Sequence, residues 1–407
     1  MTENHSHTDE GMLEGVRVLD LSRVLAGPWA SQMLADMGAD VIKIERPGRG
    51  DDTRSWGPPW WEEGGQSAYF TSANRGKRSV AVDIASADGQ AVIRKLVAQC
   101  DVLLENYKVG GLAKYGLDYP SLREINPGLV YCSITGFGQS GPYRQRAGYD
   151  FMIQAMGGLM SVTGEPDDKP GGGPQKVGVA LTDVMTGLYA GNAILAALFA
   201  RQRSGRGRHL DLALLDVQFA ALANQAANYL CSGEVPGRMG NAHPNIVPYQ
   251  AFAASDGWLI VAVGNDAQFA RFAAVLGEPG WGQDPRFSEN AARVANRDEL
   301  IALIVPHLKK QSVAHWLDAL NEVGVPCGPV NTIADVVADQ QVQARALVVQ
   351  RGDKRFVASP IREAGQAPLF AERPVPALGE HTDEVLGALA GLSESDIATL
   401  RDKGIVA

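Results

Sequence analysis

Between Val177 and Ala200 the segment VGVALTDVMTGLYAGNAILAALFA carries one charged side chain, Asp183. A carboxylate among apolar neighbours is costly unless something satisfies it. Two physical reasons would place it there. Asp at a helix start is a common N-cap, accepting hydrogen bonds from first-turn N–H groups. A carboxylate at a helix N-terminus is also a held nucleophile, and the positive end of the helix favours its ionised form. On this feature alone capping is the commoner use of the residue.

Other chemistry-bearing residues are sparse. Of the seven histidines, His307 and His315 fall on expected helices, His209 enters a strand, and His5 and His7 lie in a polar leader. Only His243, in the loop SGEVPGRMGNAHPNIVP, has the setting of a working residue. Basic residues cluster in IERPGRGDDTR (Arg46, Arg49, Arg54) and NRGKRS (Arg75, Lys77, Arg78), each next to an expected strand end. In α/β sheets ligands bind at strand ends, so these are candidates for gripping phosphates. Solvated surface charge is the plainer account of each taken singly. Cys100, Cys132, Cys231 and Cys327 are scattered, with no CxxC pair, which argues for a reducing, cytoplasmic setting and against a zinc site. No metal site is expected. GxSxG, HExxH and GxxxxGK[ST] are absent, which removes support for the simplest hydrolase, metalloprotease and P-loop classes.

The elements that must hold these residues read as alternating strands and helices. VRVLDLS is a buried strand, AGPWASQMLADMGAD a helix stopped at Gly38, and VIKIERP a second strand. This β-α-β unit implies a parallel sheet with a right-handed crossover. Glu45 ends its second strand, in the style of a dinucleotide fold, yet the turn reads SRVLAGPWA and lacks GxGxxG, so hydride transfer is disfavoured. SVAVDI, DVLLENY and GLVYCSITGFG continue as strands, and LDLALLD as a strand running into a helix. Beyond the Gly/Asn loop, GWLIVAVG opens a mainly helical second unit.

The chain has 407 residues, 45% hydrophobic and 20% charged, with a net charge of −9. The length implies two domains or one large discontinuous one, and the composition is ordinary for a globular enzyme, with no general electrostatic case for nucleic acid or an anionic membrane. Val184–Ala200 is near the lower length limit for a membrane span, but Thr186, Gly187, Gly191 and Asn192 favour a buried core helix.

Several segments together resemble the class III CoA-transferase family: GVRVLDLSRVLAGPWASQMLADMGADVIKIERP, NRGKRSVAVD, DVLLENY, GYDFMIQAMGGLM, VALTDVMTGLYAG and LGEHTDEVL. The match runs from about Leu13 to the C-terminus. GDDTRSWGPPW, YCSITGFGQSGPYRQRAGYD, AANYL and NIVPYQAF are most similar to the branch that handles glutarate-type acids. The resemblance implies a large Rossmann-like domain built from both chain ends (13–225 and 335–407), a smaller inserted α+β domain with its linkers (226–334), and a leader (1–12). It also implies a homodimer of two interlocked chains.

The resemblance further implies a covalent route with Asp183 as nucleophile, carrying CoA from an acyl-CoA such as succinyl-CoA to a dicarboxylate such as glutarate or 3-hydroxy-3-methylglutarate. The CoA thioester is then a substrate, and no tightly bound cofactor is expected. Matching positions assign CoA contacts to Leu25 and Ala26, Arg46, Val82, Asp83, Ile84 and Ala85, Asn106, Tyr107 and Lys108, Lys114, and Thr135, Gly136, Phe137 and Gly138. For the acceptor's far carboxylate Arg23, Arg146 and Arg238 are candidates, each beside an expected active-site segment. VPGRMGNAH, with Arg238, Asn241 and His243, is the candidate for a loop covering the nucleophile. Related racemases of the same fold use a histidine in a GHD context, where this chain has Tyr149 in AGYD. Tyrosine titrates near 10 and is a poor base at neutral pH, so racemase is the weaker alternative. A CoA-ester-binding protein without catalysis is a third, and the intact Asp183 counts against it.

Overall fold

The computed structural model describes residues 11–62 and 65–407. His5, His7 and most of the expected leader lie outside them. The chain divides into two compact units. The first comprises Met1–Leu159, Val177–Ala226 and Gln340–Ala407, and the second Met160–Lys176 and Ala227–Asp339.

The first unit is built on a six-stranded sheet of order β3-β2-β1-β4-β5-β6. Its strands are β1 (Arg17–Asp20), β2 (Asp40–Glu45), β3 (Lys77–Ala81), β4 (Val102–Glu105), β5 (Val130–Thr135) and β6 (Arg208–Ala213). All neighbouring pairs are parallel. β2 to β5 are buried almost along their whole length, as expected when both faces of a parallel sheet are covered. Apolar clusters pack on the two faces, one around Leu19, Ile42 and Leu103, the other around Val18, Val41 and Leu104. Strand order reverses between β1 and β4, and ligands of such sheets bind in the crevice at that switch point.

Helix α1 (Ala26–Asp36) follows β1, and α2 (Ala87–Val97) follows β3. The long apolar segment forms α3 (Leu181–Ser204). Its length and mean hydropathy of 1.3 would suit a membrane span. Its place is instead against α1 and the sheet, with Ala190, Ile194 and Ala197 buried in the apolar cluster. Gly187 and Gly191 allow this approach, since an added Cβ would lie 2.8 Å from the Ala26 carbonyl oxygen and 2.8 Å from Met33 Cε, respectively. One face of the apolar run is therefore packed into the core.

The second unit holds a three-stranded antiparallel sheet of β7 (Tyr249–Ala253), β8 (Trp258–Ala262) and β9 (Cys327–Pro329). Helices at Asp266–Val275, Arg297–Leu308 and Val313–Glu322 cover it around Phe269, Phe272 and Trp316. The segment Met160–Lys176, which precedes α3, falls in this unit rather than the first. Near the C-terminus Ser393 caps Glu394–Asp402 with a reciprocal bond from Asp396.

Candidate active site

Two cavities share the walls Arg23, Asp52, Tyr107 and Tyr115 in the first unit. The first, of about 430 Å³, is lined by the loops after β1 and β4, by Thr135 and Gly136 after β5, and by Asp183. The second, of about 350 Å³, is lined by Arg46, Arg49 and Val82–Ala85. Both lie within the usual size range of ligand sites. They meet at the switch point of the sheet.

Asp183 is half-buried in the first turn of α3. It is not the cap. Ala180 holds the N-cap position and makes no side-chain cap bond. The Asp150 carboxylate takes that role from another segment: Oδ1 accepts the N–H groups of Thr182 (2.8 Å) and Asp183 (3.2 Å). Asp150 Oδ2 accepts from Gln154, whose own oxygen accepts the Val177 N–H. The capping account of Asp183 is thus corrected, because another acid already fills the helix N-terminus.

One consequence runs against the expected anion-stabilising field. Burial, and then the Asp150 charge beside it, push the Asp183 carboxyl up to about 7. Its proton is therefore finely balanced at neutral pH, and no cation lies in ion-pair range of it among the described residues. Tyr69 belongs to the same surroundings. Burial and the charges of Asp183, Asp150 and Asp51 hold its phenol up at about 12, so it stays a hydrogen-bond donor.

Most residues matched from the sequence meet here. Leu25, Ala26, Asn106, Tyr107, Lys108, Lys114, Thr135 and Gly136 line the cavity that Asp183 opens on, with Arg23, Arg146 and Tyr149. Arg46, Val82, Asp83, Ile84 and Ala85 line the second. Phe137 and Gly138 line neither. Phe137 is buried edge-on to Tyr143 at 5.5 Å between ring centroids, and the Gly138 N–H bonds to Thr135 Oγ1. Arg238, Asn241 and His243 belong to the second unit. There Arg238 pairs with Asp167, and His243 Nδ1 accepts the Asn245 N–H. Among the described residues no histidine lines the Asp183 cavity.

The basic clusters divide. Arg46 and Arg49 are exposed at the second cavity. Arg54, Arg75, Lys77 and Arg78 are neither phosphate grips nor solvated charges. They pair respectively with Glu45, Asp36, Asp20 and Asp40 inside the first unit. Glu45 is correspondingly a structural acid, taking Arg54, Ser79 and the Asp51 N–H. The sequence supplied no pattern to separate these pairs from ligand contacts, because their partners come from other elements, helix α1 and strands β1 and β2.

The sequence profile of CoA-transferase family III matches residues 13–382. The chain belongs to that family. This CoA-transferase is 53% identical over 385 residues to the succinate–glutarate CoA-transferase of Agrobacterium fabrum, covering 93% of this chain and 95% of the other. It is 44% identical over 398 residues to the human succinyl-CoA:glutarate CoA-transferase, covering 97% and 90%. A crystal structure of a CaiB/BaiF family protein from Brucella suis superposes with a TM-score of 0.83 at 51% identity, covering 93% of this chain and all of that one. The enzyme uses CoA thioesters as substrates, and the cavities of the first unit are its candidate binding cleft.

Sequence reasoning missed four contributors. Asp150 lies in the quoted GYDFMIQAMGG segment, but its grip on α3 depends on tertiary contact. Tyr69 sits in a short helix with no motif. Asp52 holds Arg23 at 3.3 Å. Arg144 stands two residues before Arg146 and lines the same cavity; its presence in the same basic stretch was the available signal.

Proposed function

We propose that this CoA-transferase moves CoA from succinyl-CoA to glutarate or a closely similar dicarboxylate, with Asp183 as the covalent nucleophile. The observation that carries this is a half-buried carboxylate with no cationic partner among the described residues, opening on a cavity walled by the segments matched to CoA. The names of the similar proteins support the acid pair.

The ionised Asp183 carboxylate attacks the thioester carbonyl. The C–S bond breaks, CoA leaves as thiolate, and a mixed aspartyl–succinyl anhydride remains. The thiolate then attacks the aspartyl carbonyl, releasing succinate and leaving Asp183 as a CoA thioester. The acceptor carboxylate repeats the two exchanges in reverse, which restores the free Asp183 carboxylate. No net proton is gained or lost, so the site needs placement and charge control more than a general base. The first-turn N–H groups of α1, at Ala26 and Gly27, which receive no side-chain cap, are suited to the tetrahedral oxyanion. Among the described residues a histidine-based proton shuttle has no residue in this cavity, which favours transfer over racemisation.

Arg146 is the candidate for the acceptor's far carboxylate. Its guanidinium lies over the rings of Phe137 (5.2 Å) and Tyr143 (4.6 Å) and makes no ion pair among the described residues, so its charge is free for a substrate. Arg23, by contrast, is engaged by Asp52, and Arg238 by Asp167. The exposed apolar side chains Tyr189, Phe199 and Phe219 support a homodimer. The enzyme is further proposed to work in the cytoplasm on small acids and CoA esters, without a resident cofactor, nucleic acid or membrane.

The test is a single-turnover incubation with succinyl-CoA and no acceptor. A CoA adduct on the peptide containing Asp183, cleaved by hydroxylamine, is expected; a fully active enzyme that never forms an adduct would sink the mechanism. Light scattering in solution should return twice the mass of the chain.

A further inference from the structure

Five acids are buried in the described residues: Asp20, Asp36, Glu45, Asp51 and Glu105. Four have a cation in contact. Lys77 lies 3.2 Å from Asp20, Arg75 2.5 Å from Asp36, Arg54 2.7 Å from Glu45 and Lys43 2.9 Å from Asp51. Glu105, at the end of β4, has none among the described residues. Burial accordingly pushes its carboxyl up to about 7, against the pull of its hydrogen bonds. A buried acid without a counter-ion is expensive, so its hydrogen bonds should account for it.

Those bonds lead to the cleft. Glu105 Oε2 accepts the Tyr107 N–H at 2.7 Å, closing a tight turn over Asn106. The Ser133 hydroxyl bonds to the same carboxyl, and Ser133 Oγ stands 2.9 Å from His209 Nε2. A hydroxyl has one proton to give. While Glu105 is ionised that proton goes to Glu105, and His209 Nε2–H donates to Ser133. The chain crosses β4, β5 and β6, where Glu105 faces Ser133 in register. Tyr119 stacks on the His209 ring at 5.1 Å and Tyr131 meets it edge-on at 5.2 Å, which fixes the imidazole.

On the cleft side, Asn106 grips the Arg23 peptide from both ends. Its Oδ1 accepts the Arg23 N–H at 2.9 Å, and its Nδ2 donates to the Arg23 carbonyl at 2.7 Å. The turn over Asn106 therefore sets two walls of the Asp183 cavity at once, though Glu105 lines neither cavity itself.

We infer that Glu105 is a positioning residue: held by Ser133 and His209, it fixes the Asn106–Lys108 turn, and through Asn106 the Arg23–Ala26 loop, in the shape that receives the CoA thioester. The inference rests on the proposal that these loops contact CoA.

The test uses the full-length enzyme carrying Glu105→Ala, Glu105→Gln, Ser133→Ala, Lys108→Ala or Lys114→Ala. CoA affinity is measured by calorimetry, kcat and KM with succinyl-CoA and glutarate, and Tm by melting. Glu105→Ala is expected to raise the CoA Kd and the thioester KM at least tenfold, with kcat within threefold. Glu105→Gln keeps an oxygen for the Tyr107 N–H and should restore both constants to within threefold of the parent. Ser133→Ala should raise KM about threefold and serves if Glu105→Ala does not fold. A folded Glu105→Ala enzyme with parental Kd, or one that loses kcat instead of KM, overturns the inference, as does an unchanged KM in Ser133→Ala. If Lys108→Ala and Lys114→Ala weaken CoA while Glu105→Ala does not, the positioning role fails alone. If none of the three weakens CoA, the assignment of the CoA site fails, and the inference with it.

Discussion

Beneath the second cavity, Lys43 lies fully buried between acids, bonded to Asp51 at 2.9 Å and to the Ser22 carbonyl at 2.8 Å, while Arg54 holds Glu45 and Lys77 holds Asp20. Around the first cavity, among the described residues, Asp183 has no cation, and Asp150 beside it bonds backbone N–H groups and Gln154. The paired region fixes charge by mutual compensation, and its Lys43 keeps Asp51 down at about 2 despite burial. The unpaired region leaves charge uncompensated, and Asp183 rises to about 7. Compensated charge holds a loop in place; uncompensated charge is available to a substrate, at a cost in stability.

Asp183→Asn should widen that contrast most. Transfer is expected to fall by about 10⁴-fold or more, since the covalent step is lost. The same change should stabilise the protein at pH 8. A carboxyl raised in the folded state favours folding fully below about 4 and loses that favour as pH rises toward 7. The Tm gain of Asp183→Asn should therefore shrink on acidification and vanish near pH 4. A variant less stable than the parent at pH 8 would return Asp183 to a structural role.

Lys43→Met attacks the paired region. It strands buried Asp51 and Asp20 and should cost roughly 3–5 kcal/mol in denaturant unfolding. The Asp51 contribution has the opposite pH sign from that of Asp183: it is present above about 4 and lost as pH falls toward 2. A loss under 1 kcal/mol at neutral pH would show that the ion pairs are dispensable.

Arg146→Ala should raise the KM for glutarate by about 10- to 100-fold, the range of a charged hydrogen-bonding partner, with little change for succinyl-CoA binding to the free enzyme. An equal effect on a monocarboxylate acceptor would assign Arg146 to the cavity wall instead. The smallest effect is expected from Asp150→Asn, whose side-chain oxygen still accepts the α3 N–H groups. Removing the charge should move the acid limb of the kcat/KM profile down by less than about one pH unit, because burial is the larger cause of the Asp183 shift. A limb that stays at 7 would leave burial as the sole cause.

Much of the frame was legible in the chain itself. Runs such as VRVLDLS and VIKIERP could satisfy their apolar residues only as buried strands, and their alternation with helical segments dictated the parallel sheet. The segments matched to CoA converge on the two cavities because the loops after parallel strands all emerge at one edge. The short antiparallel strands β7 and β9 were not foreseen, since Tyr249–Ala253 and Cys327–Pro329 are too short to carry a clear period.

What the sequence determined by itself is the kind of residue at each place: one acid at the head of an apolar helix, small residues along that helix, and strand-end loops of the right composition. What only the tertiary structure decided is how charge is shared among them. Lys77 and Arg75 read the same in sequence as Arg46, yet two neutralise buried acids and one faces a cavity. Asp183 and Asp150 read alike in sequence, each a lone acid beside apolar residues, yet Asp150 caps α3 and Asp183 does not. Periodicity is local and survives in one dimension. Compensation depends on which distant side chain arrives within a few ångströms, and on the water excluded when it does.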